Sequence, residues 1–297
     1  MTDSTEHNLA DQLHRFLFDA DNVRGELVQL GPTFAAMIAN HDYPPAVAEL
    51  LGELLVATSL FTALLKFEGE VTVQLQGDGP VRLMVVNGDH RQQFRGVARI
   101  ASPVGEQTGL RPLLGNGYLV ITVSPTDGER YQGVVALDQA SIAACLERYF
   151  SQSEQLPTRI WLFARAGASP RAGGLLLQRM PVSASEQDDR GLEHLSLLSA
   201  TLKAEELLDL PAITVLHRLY HQEQISQFAP QPLSFVCGCS REKSANALIS
   251  LGRDDCEALL VERGEILIHC EYCNSDYRFT SDDVEPLFGS GTRHGPH

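Results

Sequence analysis

The sequence predicts an α+β protein, with a largely antiparallel sheet and packed helices at its N-terminal end, a helical linker, and a small cysteine-bearing domain at its C-terminal end. Three patterns predict it. Apolar residues alternate with polar ones in a series of short runs between about 67 and 180, the period of half-buried strands. Leucines return at helical spacing between 192 and 220, and four cysteines stand downstream in two close pairs, Cys237-Gly-Cys239 and Cys270-Glu-Tyr-Cys273. Helices followed by a run of strands imply α+β architecture rather than alternating βαβ units.

Residues 1–65 read as helical. Asn8–Phe18 carries apolar residues at helical spacing, Pro32–Ile38 follows Gly31 as a short helix, and Asp42-Tyr-Pro-Pro45 leads into a long apolar helix over Ala46–Leu65. That last stretch is long enough to span a bilayer. Glu49 and Glu53, one turn apart, would each cost about 2.5 kcal/mol or more at a bilayer centre, so a core helix with both carboxylates at one edge is expected, and no membrane partner. Val71, Val73 and Leu75 then alternate with polar neighbours up to Gly77-Asp-Gly-Pro80. Val81–Val86 follows, and Asn87-Gly88 reads as a hairpin turn. Further strands are expected at Gln92–Ile100, Tyr118–Val123, Tyr131–Leu137, Arg159–Ala164 and Gly174–Met180, with one helix at Ser141–Gln152. Together these make an N-terminal domain over residues 1–183.

Residues 184–230 have a different texture, acidic and amphipathic, with Leu192, Leu195, Leu198, Leu202, Leu207, Leu208 and Leu210 in register and Pro211 opening a further helix with Val215, Leu216, Leu219 and Tyr220. Helices this short need an apolar surface to dock on. A plain connector and a metastable element, drawn from the low-stability end of the structure, are both open readings. Residues 231–288 form the last domain, and residues 289–297 are expected to be a disordered tail.

Fewer than 60 residues with modest apolar content rarely fold without a metal or disulfide staple. Two short-spaced cysteine pairs separated by 30 residues supply the four ligands of a tetrahedral zinc site without long loops, so Cys237, Cys239, Cys270 and Cys273 are expected to hold one zinc ion. Gly238 leaves the first pair room to bend, and Asn274 and Ser275 suit a turn after the second. The C-x-C pair also argues for redox behaviour, because a disulfide across two residues closes a strained, labile ring. Arg241 and Lys243 follow that pair and favour thiolate. Cys145 reads as a buried helix residue and Cys256, with Leu259 and Leu260, as a half-buried one; a side disulfide or spare thiol is the alternative for Cys256. His269 is a possible competing ligand, although four thiolates already complete the set.

Net charge and motifs exclude several function classes. A formal charge of −15 and a pI near 5.0 are a poor match for nucleic acid. The 3 lysines (66, 203 and 243) follow no glycine loop, so no phosphate-cradling G-x-x-x-x-G-K-[ST] motif exists, and neither an H-E-x-x-H pair nor a G-x-S-x-G elbow occurs. No enzyme active site is expected. Met1–Ala10 is polar and acidic, unlike a secretory leader, and a cytoplasmic protein is expected whose cysteines are thiols, ligands or sensors. Three rival readings stay open: a thiol–disulfide oxidoreductase using Cys270 and Cys273, a zinc-dependent nucleic-acid module, and a constitutive interaction protein with a purely structural zinc.

The residues also carry a family resemblance. Arg24-Gly-Glu-Leu-Val28, Asn40-His-Asp-Tyr-Pro44, Val73-Gln-Leu-Gln-Gly-Asp-Gly-Pro80, Gly128-Glu-Arg-Tyr-Gln-Gly-Val134, Ser153-Glu-Gln-Leu-Pro-Thr-Arg159 and the two cysteine pairs are collinear with the same segments of one family. Over nearly its whole length the chain resembles the redox-regulated 33 kDa heat-shock chaperones (heat shock protein 33). The resemblance implies an ATP-independent holdase that is largely inactive when reduced and zinc-bound. It further implies that oxidation pairs Cys237 with Cys239 and Cys270 with Cys273, that zinc is lost, and that the linker at about 184–230 loses its order. The activated form is expected to be a homodimer that holds unfolding client proteins. Cys256 lies outside the family's four-cysteine pattern.

Overall fold

A computed structural model describes residues 11–65, 68–181 and 189–288. The expected tail at 289–297, the opening residues 1–10, Lys66 and the first residues of the acidic segment up to 188 lie outside the described residues. The chain divides into two compact units, Met1–Val236 and Cys237–His297.

In the first unit, β1 (Gln12–Phe18) and β2 (Val23–Leu30) pair antiparallel, and β2 pairs in turn with β9 (Arg171–Arg179), which pairs with β8 (Thr158–Arg165). The expectation of helix over residues 8–18, and across 1–65 as a whole, is therefore corrected. The physical reason lies in what covers this sheet. Leu13, Val28, Leu30 and Leu176 pack on one face, while Phe16, Phe18, Val23, Leu27, Leu175 and Leu177 pack on the other. A strand buried on both faces loses the apolar–polar alternation that marks a strand, and its apolar residues then fall by chance at helical spacing.

A second sheet holds β3 (Gly69–Gly77), β4 (Val81–Asp89), β5 (Gln93–Ile100), β6 (Gly117–Pro125) and β7 (Tyr131–Ala136) in the order β5-β4-β3-β6-β7, all antiparallel. Its strands lie where the alternation placed them, with one local shift. Asn87 and Gly88 sit inside β4 rather than at the turn. A Cβ at Gly88 would lie 2.2 Å from the Phe94 ring of the facing strand, so this glycine serves close packing. The reversal occurs at His90–Gln92, where the Asp89 carboxylate accepts from the backbone of Arg91 and Gln93 at 3.0 and 2.9 Å.

Between the two sheets runs α2 (Pro45–Leu64), a 20-residue helix long and apolar enough to cross a membrane but buried in the core, as expected. A short α1 (Pro32–Ile38) precedes it; α3 (Leu110–Leu114) and α4 (Ile142–Tyr149, continued by a π turn over Phe150–Glu154) lie among the strands of the second sheet and before β8. Cys145 of α4 is fully buried, as its sequence context suggests. The α+β expectation holds, with antiparallel sheets and packed helices.

Three helices close the outer face of the first sheet: α5 (Arg190–Ser199), α6 (Ala204–Asp209) and α7 (Ala212–Tyr220). Leu192, Leu195, Leu202, Leu207, Val215, Leu216 and Tyr220 form one apolar cluster with the sheet residues Phe16, Phe18, Val23, Leu27, Leu175 and Leu177. The Tyr220 ring meets Phe18 edge-on at 5.0 Å, and its hydroxyl lies 2.5 Å from that of Ser199. Gln29 of β2 donates to the carbonyls of Leu207 and Leu210 at 2.5 and 2.7 Å, satisfying the open end of α6. Polar ties at the rim are exposed: Arg165–Asp209 at 2.7 Å and Arg218–Glu206 at 2.8 Å. Docking is thus carried by apolar burial, since exposed ion pairs contribute about 0–1 kcal/mol each. Beyond α7 the chain is strapped back by β10 (Ser226–Gln227) and β11 (Gln231–Pro232) on β1 and by β12 (Ser234–Phe235), parallel to β5. The strap ends with the Val236 N–H donating to the Phe94 carbonyl at 2.8 Å, one residue before Cys237.

In the second unit, α8 (Arg241–Leu251) and α9 (Arg253–Arg263) precede a hairpin of β13 (Ile266–His269) and β14 (Asp276–Phe279), closed by α10 (Ser281–Val284) and a 3-10 turn over Glu285–Phe288. Among the described residues its buried apolar core is Leu248, Cys256, Ile266, Phe279 and Val284. Cys256 is 0% exposed, deeper than the half-buried position its spacing suggested. The α8–α9 pair folds over it, which spacing within α9 alone does not show.

Candidate metal centre

The second unit brings four sulfurs together from its two ends. Before α8, Gly238 at φ +65° lets the chain turn between Cys237 and Cys239, and Ser240 then caps α8 by accepting from the Lys243 N–H at 3.1 Å. At the other end, β13 delivers Cys270 into a tight turn: Asn274 N–H donates to the Cys270 carbonyl at 2.8 Å, Cys270 N–H to the Ser275 carbonyl at 2.9 Å, and Asn274 takes φ +56°. Gly238, Asn274 and Ser275 thus hold the turning roles expected of them.

Cys237 Sγ stands 3.4 Å from Cys270 Sγ, and Cys239 Sγ stands 3.4 Å from Cys273 Sγ. All four sulfurs lie within 4.8 Å of one another, and no disulfide links them. A regular tetrahedron with metal–sulfur bonds of about 2.3 Å has sulfur–sulfur edges of about 3.8 Å; the two facing pairs stand a little inside that distance and no pair is farther apart than 4.8 Å. A disulfide would need about 2.05 Å. The cluster can hold a metal ion, and an all-thiolate donor set suits a soft or borderline one.

Neighbouring polar groups are already committed. His269 has its Nδ1 against Asp276 at 2.7 Å and its Nε2 against Asn274 at 3.0 Å, so both ring nitrogens are occupied and it does not compete for a metal. Its hydrogen bond to Asp276, then that to Asn274, raises its pKa above the ordinary value. Arg241, expected to favour thiolate, is taken up elsewhere: it donates to the Arg278 carbonyl, pairs with Asp283 at 2.8 Å and lies 4.4 Å over the Phe279 ring. Lys243 Nζ donates to the Gly238 carbonyl at 2.6 Å, so its charge sits inside the first pair. Burial pushes the Cys237 and Cys270 thiols up. Burial also opposes ionisation of Cys273, but hydrogen bonds from Ser275 and from the facing thiols overcome it and bring that thiol to about 6. Without metal, Cys273 is therefore the most ionised nucleophile of these three.

Two contacts escaped the reading of the sequence. The Tyr277 hydroxyl donates to Cys239 Sγ at 3.1 Å, and the Ser275 hydroxyl lies 3.2 Å from Cys273 Sγ. Tyr277 occupies the same face of β14 as buried Phe279, two residues away, and that period was the available signal.

Comparison with known proteins places this geometry. The family model described as Hsp33 protein matches residues 11–280. The chain belongs to the Hsp33 family. Among its relatives, the 33 kDa chaperonin of Edwardsiella ictaluri is 55% identical over 278 residues, covering 93% of this chain and 94% of the relative. That of Pectobacterium atrosepticum is 54% identical over 280 residues, covering 93% and 96%. The crystal structure of the Hsp33 homolog from Thermotoga maritima superposes with a TM-score of 0.81 at 22% identity, covering 94% of this chain and 97% of that one, and shows the shared fold. Hsp33 membership agrees with the resemblance read from the sequence, and the family and relative names support a chaperone.

Proposed function

We propose that this chain is an ATP-independent holdase chaperone, not an enzyme, whose cysteine cluster holds one zinc ion when reduced and switches the chaperone on when oxidised. One observation carries the reading: four thiols converge at metal-binding distance in a unit whose buried apolar core, among the described residues, is five side chains. A bound zinc ion would crosslink Cys237, Cys239, Cys270 and Cys273 and supply the folding free energy that so small a core lacks. Pairing Cys237 with Cys239 and Cys270 with Cys273 removes all four ligands. Each pairing draws two electrons from two thiolates and passes them to an oxidant such as a peroxide.

The linker at 184–230 then follows. Its helices dock by apolar burial, and the strap after them is anchored up to Val236, next to the first ligand. Disorder entering at Cys237 loosens the strap, and the α5–α7 layer lifts. Phe16, Phe18, Leu27, Leu175 and Leu177 on the sheet, with the leucines that covered them, become a client surface, in a cytoplasmic protein that dimerises when active. The competing oxidoreductase reading wants C-x-x-C at a helix N-terminus, whereas Cys270 and Cys273 flank a strand and its turn.

The test compares aggregation of a thermally unfolding client in the presence of reduced, zinc-loaded chain and of oxidised chain. Suppression by the oxidised form alone is expected. Equal suppression by both would leave a constitutive interaction protein with a structural metal.

A further inference from the structure

The four sulfurs are not held alike. Cys239 has a side-chain donor aimed at it, the phenol of Tyr277, with Oη at 3.1 Å from Sγ. That phenol is fixed at both levels. Its backbone is paired with Ile268 across the β13–β14 hairpin, and its ring packs against the small core of Leu248, Cys256, Ile266, Phe279 and Val284. The hydroxyl is the polar tip of a half-buried side chain whose ring packs on that core, and this packing sets its direction. Lys243 approaches the same pair through the Gly238 carbonyl rather than through sulfur.

We propose that Tyr277 is a positioning residue that sets how readily Cys239 is oxidised, its hydroxyl occupying a sulfur lone pair that oxidation needs. The inference rests on the metal-holding role of the cluster given above. Oxidation by a peroxide begins when a thiolate sulfur attacks the O–O bond, giving a sulfenic acid and hydroxide. The partner thiolate then attacks that sulfur, the S–S bond forms, and a second hydroxide leaves; two thiolates lose two electrons and the peroxide gains them. Whether Cys239 attacks the peroxide or attacks the sulfenic acid of its partner, it must offer a lone pair. The Tyr277 O–H engages one, as outer donors do around bound thiolates, and it also holds the sulfur in its ligand orientation.

The test uses the reduced, zinc-loaded full chain and its Tyr277→Phe variant, which removes one oxygen. With hydrogen peroxide, zinc release followed by a chromogenic chelator is expected to be roughly tenfold faster in the variant, the scale of outer-shell effects. In the cobalt-substituted chain the thiolate-to-metal charge-transfer band is expected at longer wavelength, because sulfur loses a hydrogen bond; a purely structural role would leave that band in place. If the variant does not fold, 3-fluorotyrosine at position 277, a stronger donor in a closely similar volume, is expected to slow release in a folded chain. Unchanged release and an unmoved band overturn the inference while leaving the metal reading intact. A wild-type chain that takes up no zinc overturns the metal reading instead. The inference is then read from the rate of Cys239 modification by peroxide in the metal-free chain, measured by mass spectrometry, which Tyr277→Phe must raise.

Discussion

Leu216→Ala separates docking of the α5–α7 layer from oxidation. Leu216 is 1% exposed and sits in the cluster that joins α5–α7 to Phe16, Phe18 and Leu27. Removing a buried leucine down to alanine costs about 2–5 kcal/mol, transfer and cavity terms together. The cost falls on a layer whose polar ties to its surroundings are mostly exposed and contribute little, so local opening absorbs it before global unfolding does. At about 1.4 kcal/mol per factor of ten, the opening equilibrium of residues 190–220 should rise about 30-fold or more. The assay is amide hydrogen exchange of that segment in the reduced chain with its zinc bound, alongside suppression of client aggregation. Faster exchange with chaperone activity in the reduced state is expected. Faster exchange across 190–220 with no activity would refute the reasoning, because the uncovered sheet face would then not be the client surface.

Glu26 gives a pH-dependent test of the same sheet. It is 3% exposed, its Oε2 has no hydrogen-bond partner among the described residues, and burial, only partly offset by Arg24 and Arg15, holds its carboxyl at about 8 against 4.5 unfolded. The folded chain therefore keeps a proton that the unfolded chain releases, and this contribution to stability falls as pH rises from 4.5 to about 8. Glu26→Gln should melt progressively higher than wild type across that interval, by a few kcal/mol at most at about 1.4 kcal/mol per pH unit; a constant difference between the two would refute a neutral carboxyl. Cys256 reports on the second unit: 0% exposed, it should resist alkylation while metal is bound and react once a chelator strips it, and equal labelling rates before and after would show that the unit folds without metal.

Much of this protein was legible in one dimension. The strands from 69 to 136 follow period two because one face of their sheet meets the core and the other does not, so alternation survives in the sequence. The four-cysteine cluster was legible because two close pairs constrain spacing locally, and the structure brings those two pairs together. The opening strands were not, since β1 and β2 are covered on both faces by layers drawn from residues 45–64 and 190–220. No local pattern records that coverage. Neither does it record that Gly88 makes room for Phe94 instead of turning the chain.

The sequence by itself determined the α+β class, the amphipathic helices and the cysteine set, because each depends on neighbours within a turn or two of chain. Only the tertiary structure decided what those helices cover, that Arg241 serves Asp283 and Phe279 rather than a thiolate, and that Tyr277 reaches Cys239. Arg241 meets Phe279 and Asp283, and Tyr277 meets Cys239, across about 40 positions, and Tyr220 meets Phe18 across about 200; packing in three dimensions rather than local propensity brings them together.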